Sequence, residues 1–449
     1  MAGLIHRAWR NSFPHGIHPP GNKFTNRLPI KRLPFADELI IPLSQHIGAP
    51  AEPIVHRGQE VVRGEPIAKA SGFVSVPMHS PVTGVIAGIE LTPTAKGPKT
   101  KSIIVRPHPG AGQKVLYGAP QDYSRLDRNE LITAVQDTGI VGLGGAAFPL
   151  HVKLATPPGT IIDTVIANGC ECEPFLTADH RLMIEHADEI ISGIQLVMKL
   201  SGAKQAIIGL ENNKGDAFHA IKMRLPDKSP ISARLLETKY PQGSEKMLIT
   251  TLTGREVPSG GFPYQVGVIV HNVATLAQLG TLMPLRRGLI ERVVTVTGPG
   301  VKKPGNYLTP LGTPIRQLLD YVGFSGTANH LILGGPMMGS SVASLDVPVT
   351  KAVGGIIVLA EERKIDEHPK NADPCIKCGR CLQACPLKLN PSQLGLLAAK
   401  RQYQAMEEEF HLNDCFECGC CSYVCPSSIP LVQYFRIAKA INREQLITA

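Results

Sequence analysis

The chain holds 449 residues, enough for two to four domains at roughly 100–200 residues each. Hydrophobic residues make up 43% and charged residues 18%, a mix that fills several cores and excludes a disordered chain. Lys plus Arg number 46 against 37 Asp plus Glu; the net +9 suits an anionic partner, but 5% aromatics and the lack of a long basic block argue against nucleic acid.

The opening MAGLIHRAWRNSF has no apolar run of leader length, and no stretch of about 18 apolar residues follows, so neither a signal peptide nor a membrane span is expected. Residues 1–40 read as an N-terminal arm. Its first residues, with Ile5, Arg7, Trp9 and Arg10, are a candidate for membrane-surface contact, with a disordered basic end as the competing reading. His15 and His18 raise a metal site, but Pro19-Pro20 favours an extended docking arm. Residues 41–110 carry V-x-x-G-x-x-V-x-x-G-x-x-I-A from Val55, then S-P-V-T-G-V-I from Ser80. That pattern is similar to a lipoyl or biotinyl carrier domain, a small sandwich of short strands. Its expected hairpin tip, Ser71-Gly72-Phe73, has no lysine to carry a prosthetic group; Lys69 serves only if the register slips, so a structural module is the reading preferred.

Residues 120–285 read as an α/β domain. Asn129–Val135 predicts a short helix, followed by Gly139, Gly142, Gly144 and Gly145 in quick succession. Such a loop lets backbone N–H groups approach a phosphate, with Lys153 within reach, though the spacing is neither a P-loop nor a dinucleotide fingerprint. Ile161–Ala167 predicts a buried strand, and Asn168-Gly169-Cys170-Glu171-Cys172-Glu173-Pro174 follows its carboxyl end, where open α/β sheets bind ligands. A solvated loop is the competing reading for Glu171 and Glu173, and ordinary loop thiols for Cys170 and Cys172. Residues 290–345 predict strand, Gly-Pro turn, strand and a helix begun at Thr313-Pro314. This compact β-grasp-like order is similar to the SLBB module, with Gly334-Gly335-Pro336 read as a turn rather than a ligand loop. The charged stretch in 346–372 reads as a linker.

The 11 cysteines are unevenly spread: none precedes Cys170, and nine lie between Cys375 and Cys425. Cys375, Cys378, Cys381, Cys385 and Cys415, Cys418, Cys421, Cys425 form two copies of C-x2-C-x2-C-x3-C-P, the run that holds a [4Fe–4S] cluster. The fourth cysteine in such pairs usually serves the other cluster. One cubane is therefore expected on Cys375, Cys378, Cys381 and Cys425, the other on Cys415, Cys418, Cys421 and Cys385. Zinc is the competing metal, but zinc knots usually pair two distant C-x2-C halves. Cys420 reads as a spare thiol. Pro391–Met406, with Ser392 as N-cap, and Ile429–Asn442 predict helices around the clusters, within a domain over 373–449.

The block from Gly139 to Lys153, then Asn168–Pro174, then Tyr240-Pro-Gln-Gly-Ser-Glu245 with His271-Asn272-Val273, is similar to the FMN- and NADH-binding subunit of respiratory complex I. That resemblance implies that Gly142, Gly144, Gly145 and Lys153 surround the flavin phosphate. It implies that Asn168, Glu171 and Asn272 fix the ring or ribityl chain, and that Phe148, Glu173 and Glu245 lie near the nicotinamide nucleotide. Leu143, Cys170, Ser244 and His271 depart from the pattern, standing where an Arg, an Asp, a Glu and an Asn are expected. The whole order resembles the C-subunit family of ion-translocating (Rnf-type) electron transport complexes. The resemblance implies a multidomain α/β protein: carrier-like β sandwich, α/β flavin-binding domain, β-grasp-like SLBB module and a mainly helical double [4Fe–4S] ferredoxin domain. It implies FMN and two [4Fe–4S] clusters as cofactors, NADH as substrate, and membrane subunits and a ferredoxin-type carrier as partners, at the cytoplasmic face of the bacterial inner membrane. A freestanding flavin/iron–sulfur reductase, such as a cobalamin reductase, and a relay scaffold with an empty flavin loop are the rival readings. Longer relatives carry Ala/Lys-rich repeats after the clusters, which this chain is expected to lack.

Overall fold

A computed structural model describes residues 11–95, 97–324, 331–342, 344–359 and 372–448. Ile5, Arg7, Trp9 and Arg10, and residues 360–371 of the expected linker, lie outside the described residues. The arm docks. Ile17 bridges Tyr240, His15 Nδ1 meets the Gln383 carbonyl at 2.8 Å, and His18 Nδ1 meets the Thr238 carbonyl at 3.2 Å. It ends as strand β1 (Ile30–Arg32).

Seven short strands follow: β2 (Leu39–Pro42), β3 (Glu52–Pro53), β4 (Glu60–Val61), β5 (Pro66–Lys69), β6 (Met78–His79), β7 (Gly84–Thr92) and β8 (Thr100–Pro107). Two sheets, ordered β2-β8-β7-β4 and β3-β5-β6, close over Leu39, Ile41, Ile67, Met78, Ile86 and Ile103. The expected carrier tip is fastened to the next domain. Gln136 Nε2 donates to the Gly72 and Ser75 carbonyls at 3.2 and 3.0 Å, and His151 Nε2 meets the Phe73 carbonyl at 2.6 Å. Lys69 lies on β5, paired with Glu52 at 3.2 Å.

The α/β domain runs α1 (Arg128–Asp137), α2 (Leu150–Leu154), β9 (Thr164–Gly169), α3 (Ala178–Glu185), α4 (Ala187–Ser201), β10 (Gln205–Glu211), α5 (Gly215–Lys222), β11 (Ile231–Leu236), α6 (Glu245–Thr253), β12 (Val268–Asn272) and α7 (Val273–Leu282). Asp127 and Glu130 start α1 with a reciprocal capping box. The sheet, ordered β11-β10-β9-β12, is wholly parallel; β9, β10 and β12 are largely buried because helices cover both faces, while edge strand β11 alternates. Helices α4 and α7 approach closely: a Cβ at Gly193 would stand 2.0 Å from the Leu276 carbonyl oxygen.

The β-grasp module holds β13 (Glu291–Thr297), β14 (Gly305–Pro310), α8 (Ile315–Val322), β15 (Leu331–Leu333), β16 (Ser340–Ser341) and β17 (Gly355–Val358) in a sheet ordered β1-β14-β13-β17-β15-β16. Two of these strands depart from the expected boundaries. β1 comes from the arm, parallel to β14, and β17 falls in the expected linker yet is buried along its length as the parallel partner of β13. Apolar Gly355-Ile-Ile-Val358 needs a neighbour on each edge, and β13 and β15 supply them. Helix α8 lays Ile315, Leu318, Leu319 and Val322 on this sheet at helical spacing.

The cysteine-rich module holds α9 (Arg380–Ala384), α10 (Pro391–Ala399), α11 (Tyr403–Glu408), α12 (Cys420–Tyr423) and α13 (Leu431–Thr448). The helix expected over Pro391–Met406 breaks into α10 and α11, where Arg401 takes φ +56°. Its N-cap is Asn390, accepting from the Gln393 N–H at 3.1 Å, not Ser392, whose hydroxyl lies 3.8 Å from Cys375 Sγ. Among the described residues no helix is long and apolar enough to cross a membrane.

Candidate functional site

The first half of the site lies at the carboxyl edge of the parallel sheet. Asn168 ends the regular pairing of β9 with β12 opposite Asn272. Asn272 caps α7, its Oδ1 accepting from the Ala274 and Thr275 N–H groups at 2.9 and 3.3 Å, while its Nδ2 donates to Asp179 Oδ2 at 2.6 Å. Asn168 Nδ2 donates to the Gly243 carbonyl at 2.7 Å. Glu171 is buried and caps α3, accepting from the Asp179 and His180 N–H groups at 2.9 and 3.2 Å. Burial, aided by the Glu171 charge, pushes the Asp179 carboxyl up to about 7.

The glycine loop lies against this edge. The Leu143 N–H donates to Thr275 Oγ1 at 2.9 Å, and its carbonyl accepts from Arg292 Nη2 at 3.1 Å. The Gly142 N–H donates to the Phe148 carbonyl at 2.8 Å, closing the turn. Between these anchors Gly144, Gly145 and Ala146 are exposed, and their N–H groups donate to no group among the described residues. Gly145 takes φ +116° with nothing within 4 Å of a built Cβ, whereas a Cβ at Gly144 would meet the Asn272 side chain at 3.3 Å. Unspent amides beside the start of α7 form a cradle that fits a flavin's phosphate.

Other expected residues stand in different company. Lys153 and Glu245, expected on separate parts of two ligands, are ion-paired with each other. Glu173 spends both carboxylate oxygens on the Met337 and Met338 N–H groups, at 3.0 and 2.8 Å. A Cβ at Gly335 would stand 2.1 Å from Glu173 Oε2, so the Gly334-Gly335 turn closes on this carboxylate. Three charged residues that the sequence did not mark complete the surroundings. Lys23 of the arm donates to the Glu171, Glu173 and Leu176 carbonyls at 2.7, 2.8 and 2.7 Å. Lys214 pairs with Glu211 at 2.6 Å in the interior, and Asp179 holds Asn272. Of the three, only Lys23 lies near a segment the sequence singled out, three residues after Pro20 of the docking arm.

The second half is a pair of thiol-lined cavities. Cys375, Cys378, Cys381 and Cys425 line one of about 320 Å³, an order of magnitude above the ~30 Å³ share of one liquid water. Cys385, Cys415, Cys418 and Cys421 line a narrower one, and the buried Cys420 joins them. The fourth cysteine of each run thus stands with the other run's three, the interchange that paired cubanes require. Gly379 and Gly419, at φ +76° and +84°, turn the chain after the second thiol of each run. Burial pushes the Cys381 and Cys385 thiols up and the Cys415 thiol to about 11, so ligation there displaces protons. The Cys420 thiol hydrogen-bonds Cys418 and favours its thiolate. Four soft ligands set in a mostly apolar lining fit a [4Fe–4S] cluster. The narrower cavity abuts the α/β domain: Ser259 Oγ donates to Asp414 Oδ2 at 2.6 Å, and Lys246 lies 3.8 Å from Asp414.

Fold and sites define a flavin/iron–sulfur electron-transfer protein. Family models agree along its length: an RnfC barrel sandwich hybrid domain over residues 11–109, a Nuo51 FMN-binding domain over 135–281, an SLBB domain over 293–340 and a 4Fe-4S dicluster domain over 374–429. The chain is 42% identical to the C subunit of the proton-translocating ferredoxin:NAD(+) oxidoreductase complex of Clostridium ljungdahlii, over 96% of this chain and 94% of that one. It is 40% identical to the Na(+)-translocating counterpart of Acetobacterium woodii, over 88% and 89%. With the C subunit of the ion-translocating oxidoreductase complex of Pseudomonas aeruginosa it shares 39% over 97% of this chain but 56% of that longer protein. An NAD+-reducing [NiFe]-hydrogenase in the H2-reduced state shares the fold, with TM-score 0.50 and 19% identity over 70% of this chain and 62% of that one. The chain belongs to the C-subunit family of ion-translocating oxidoreductase complexes.

Proposed function

We propose that this chain is the NAD(H)-side subunit of a membrane-bound ion-translocating complex, exchanging electrons between NAD(H) and a ferredoxin-type partner. Bound FMN supplies two-electron exchange with single-electron release, and [4Fe–4S] clusters carry single electrons. The observation that carries the reading is the joint presence of unspent amides at 144–146 and two interchanged four-thiol cavities in one polypeptide.

Gly142 makes the turn, the Gly144 and Gly145 amides hold the flavin phosphate, and the Lys153–Glu245 pair sets the charge at the rim. Asn168, Glu171 and Asn272 hold the ring side, each already fixed by a backbone or side-chain partner, so the site is preorganised. Phe148 and Glu245 flank the nicotinamide nucleotide, while Glu173 positions the β-grasp loop. Cys375, Cys378, Cys381 and Cys425 ligate one cluster and Cys385, Cys415, Cys418 and Cys421 the other. Around the first set Cys378 and Ile376 are exposed, a face suited to handing electrons to a partner. Integral membrane subunits of the complex supply ion translocation, with this chain docked peripherally at the cytoplasmic face.

Anaerobic titration of the purified chain with NADH, followed by absorbance and EPR, tests the reading. The expected result is stoichiometric FMN, about eight irons per chain and NADH-dependent bleaching followed by cluster signals. Fully metallated chain that lacks flavin and ignores NADH would overturn it.

A further inference from the structure

A continuous strip of polypeptide links the flavin-site edge to the narrower thiol cavity. At one end Asn168 Nδ2 donates to the Gly243 carbonyl at 2.7 Å, and the Gly243 N–H donates to Cys172 Sγ at 3.3 Å. Three residues upstream, Tyr240 is 1% exposed and its hydroxyl donates to the Cys418 carbonyl at 2.7 Å. The path from Asn168 to Cys418 therefore runs through two hydrogen bonds and covalent bonds, without a gap across space.

The tyrosine has no freedom to leave. Its N–H donates to the Ile17 carbonyl and its carbonyl accepts from the Ile17 N–H, both at 2.9 Å. A Cβ at Gly16 would come within 2.7 Å of the Tyr240 carbonyl oxygen, so the arm lies directly on it. Ile17, Ala384 and Cys420 bury the residue with it, and Cys172, Met337, Cys418 and Val424 pack against that cluster. Glu173 fixes the loop that brings Met337 there, since it accepts from the Met337 N–H. A carbonyl oxygen can only accept, so the hydroxyl is the donor in this bond.

We propose that Tyr240 is a positioning residue for electron exchange across this seam: its hydroxyl fixes the Cys418 peptide and so sets the potential of the cluster on Cys385, Cys415, Cys418 and Cys421. The inference rests on the reading of those four cysteines as cluster ligands. In each event one electron leaves the flavin site and one arrives at the cluster; no bond forms or breaks at Tyr240, and its proton stays. A donor on the Cys418 carbonyl neutralises the negative end of that dipole beside a centre that becomes more negative on reduction. Removing the donor leaves a buried, unpaired carbonyl there and disfavours the reduced cluster.

The test is Tyr240→Phe in the full chain with both clusters present, titrated electrochemically under EPR with mediators, a measurement that needs no NADH. The expected result is unchanged iron content, an unmoved potential for the cluster on Cys375, Cys378, Cys381 and Cys425, and a lowered potential for the other. A roughly threefold shift in electron partition is expected, close to half of the ~59 mV that a tenfold change represents for one electron. Site-specific difluorotyrosine at 240, a stronger donor of nearly the same shape, should shift the same cluster the opposite way and keeps the question open to measurement if the Phe variant loses that cluster. Two potentials unmoved by either change, or two that move together, overturn the inference while leaving the assignment of the clusters intact. A wild-type chain without a second cluster overturns the reading and the inference together.

Discussion

Asp179 shows how much one buried carboxyl settles. It holds the amide of Asn272, whose other atom caps α7, so one side chain fixes both the cap and the edge facing the glycine loop. Burial first, then the Glu171 charge, pushes it from 3.8 up to about 7. The native state therefore binds this proton more readily than the unfolded chain between about pH 4 and 7. Its contribution to stability is full below that window and is lost as pH rises through about 7. Asp179→Asn keeps an acceptor for Asn272 but cannot ionise. Its thermal midpoint should fall less than that of the wild type between pH 5 and 8, and parallel profiles from calorimetry would refute the assignment. The glycines and cysteines were legible in the sequence because a tight turn or a metal corner imposes spacing on neighbouring residues. Asp179 and Lys23 were not, because distant segments supply their partners: Lys23 donates to carbonyls about 150 residues away. Lys214 pairs locally with Glu211, but nothing in that spacing marks the pair as buried. Glu173 was legible as important but not in its role, since the Met337 and Met338 amides that claim it arrive from another module.

At the scale of elements, the cysteine-rich module is the part that depends on metal. Its core is small, centred on Leu394, Met406, Leu412, Leu431 and Phe435, and its helices pack around two thiol cavities. A module of this size seldom holds together on apolar burial alone. Removing iron anaerobically with a chelator should therefore melt α9 to α13 while the parallel sheet β9–β12 stays folded. Hydrogen exchange read by mass spectrometry checks this: fast exchange over 373–448 with protection retained over 164–272 is the expected pattern, and retained protection in both regions would refute it. Helices α1 and α8 were legible in the sequence, and so was strand β9, though it starts three residues later and ends two later than expected. The break between α10 and α11 was not: the apolar pattern resumes beyond Lys400-Arg401-Gln402, and both helices pack on α13 with Arg401 turning between them. Strand β17 was hidden for a related reason, being four residues beside a charged stretch that takes its partners from a strand about 60 residues earlier.

Across the whole molecule, Lys351 joins three modules at a point where none could host a charge alone. It is 1% exposed in the β-grasp segment, and its ammonium donates to the Gly139 carbonyl of the α/β domain at 2.6 Å and the Pro77 carbonyl of the sandwich at 3.1 Å. Its own N–H donates to Gln45 Oε1 at 3.0 Å, and Arg292 donates to its carbonyl. Burial lowers its pKa from 10.5 to about 7. The unfolded chain therefore holds this proton between about pH 7 and 10.5 while the native state releases it, so stability rises with pH across that window. The slope from one proton is at most about 1.36 kcal/mol per pH unit. The neighbouring His79, lowered to about 3 by burial, titrates below this range and does not blur it. Lys351→Met removes the slope but strands two buried carbonyls, costing about 1–3 kcal/mol for each. The variant should melt lower than the wild type throughout, with the gap widening from pH 7 to 9.5 in thermal scans at one fixed rate. A gap that stays constant or narrows would mean that Lys351 remains charged in the native assembly, and that the three modules meet around a permanent cation rather than a neutral amine.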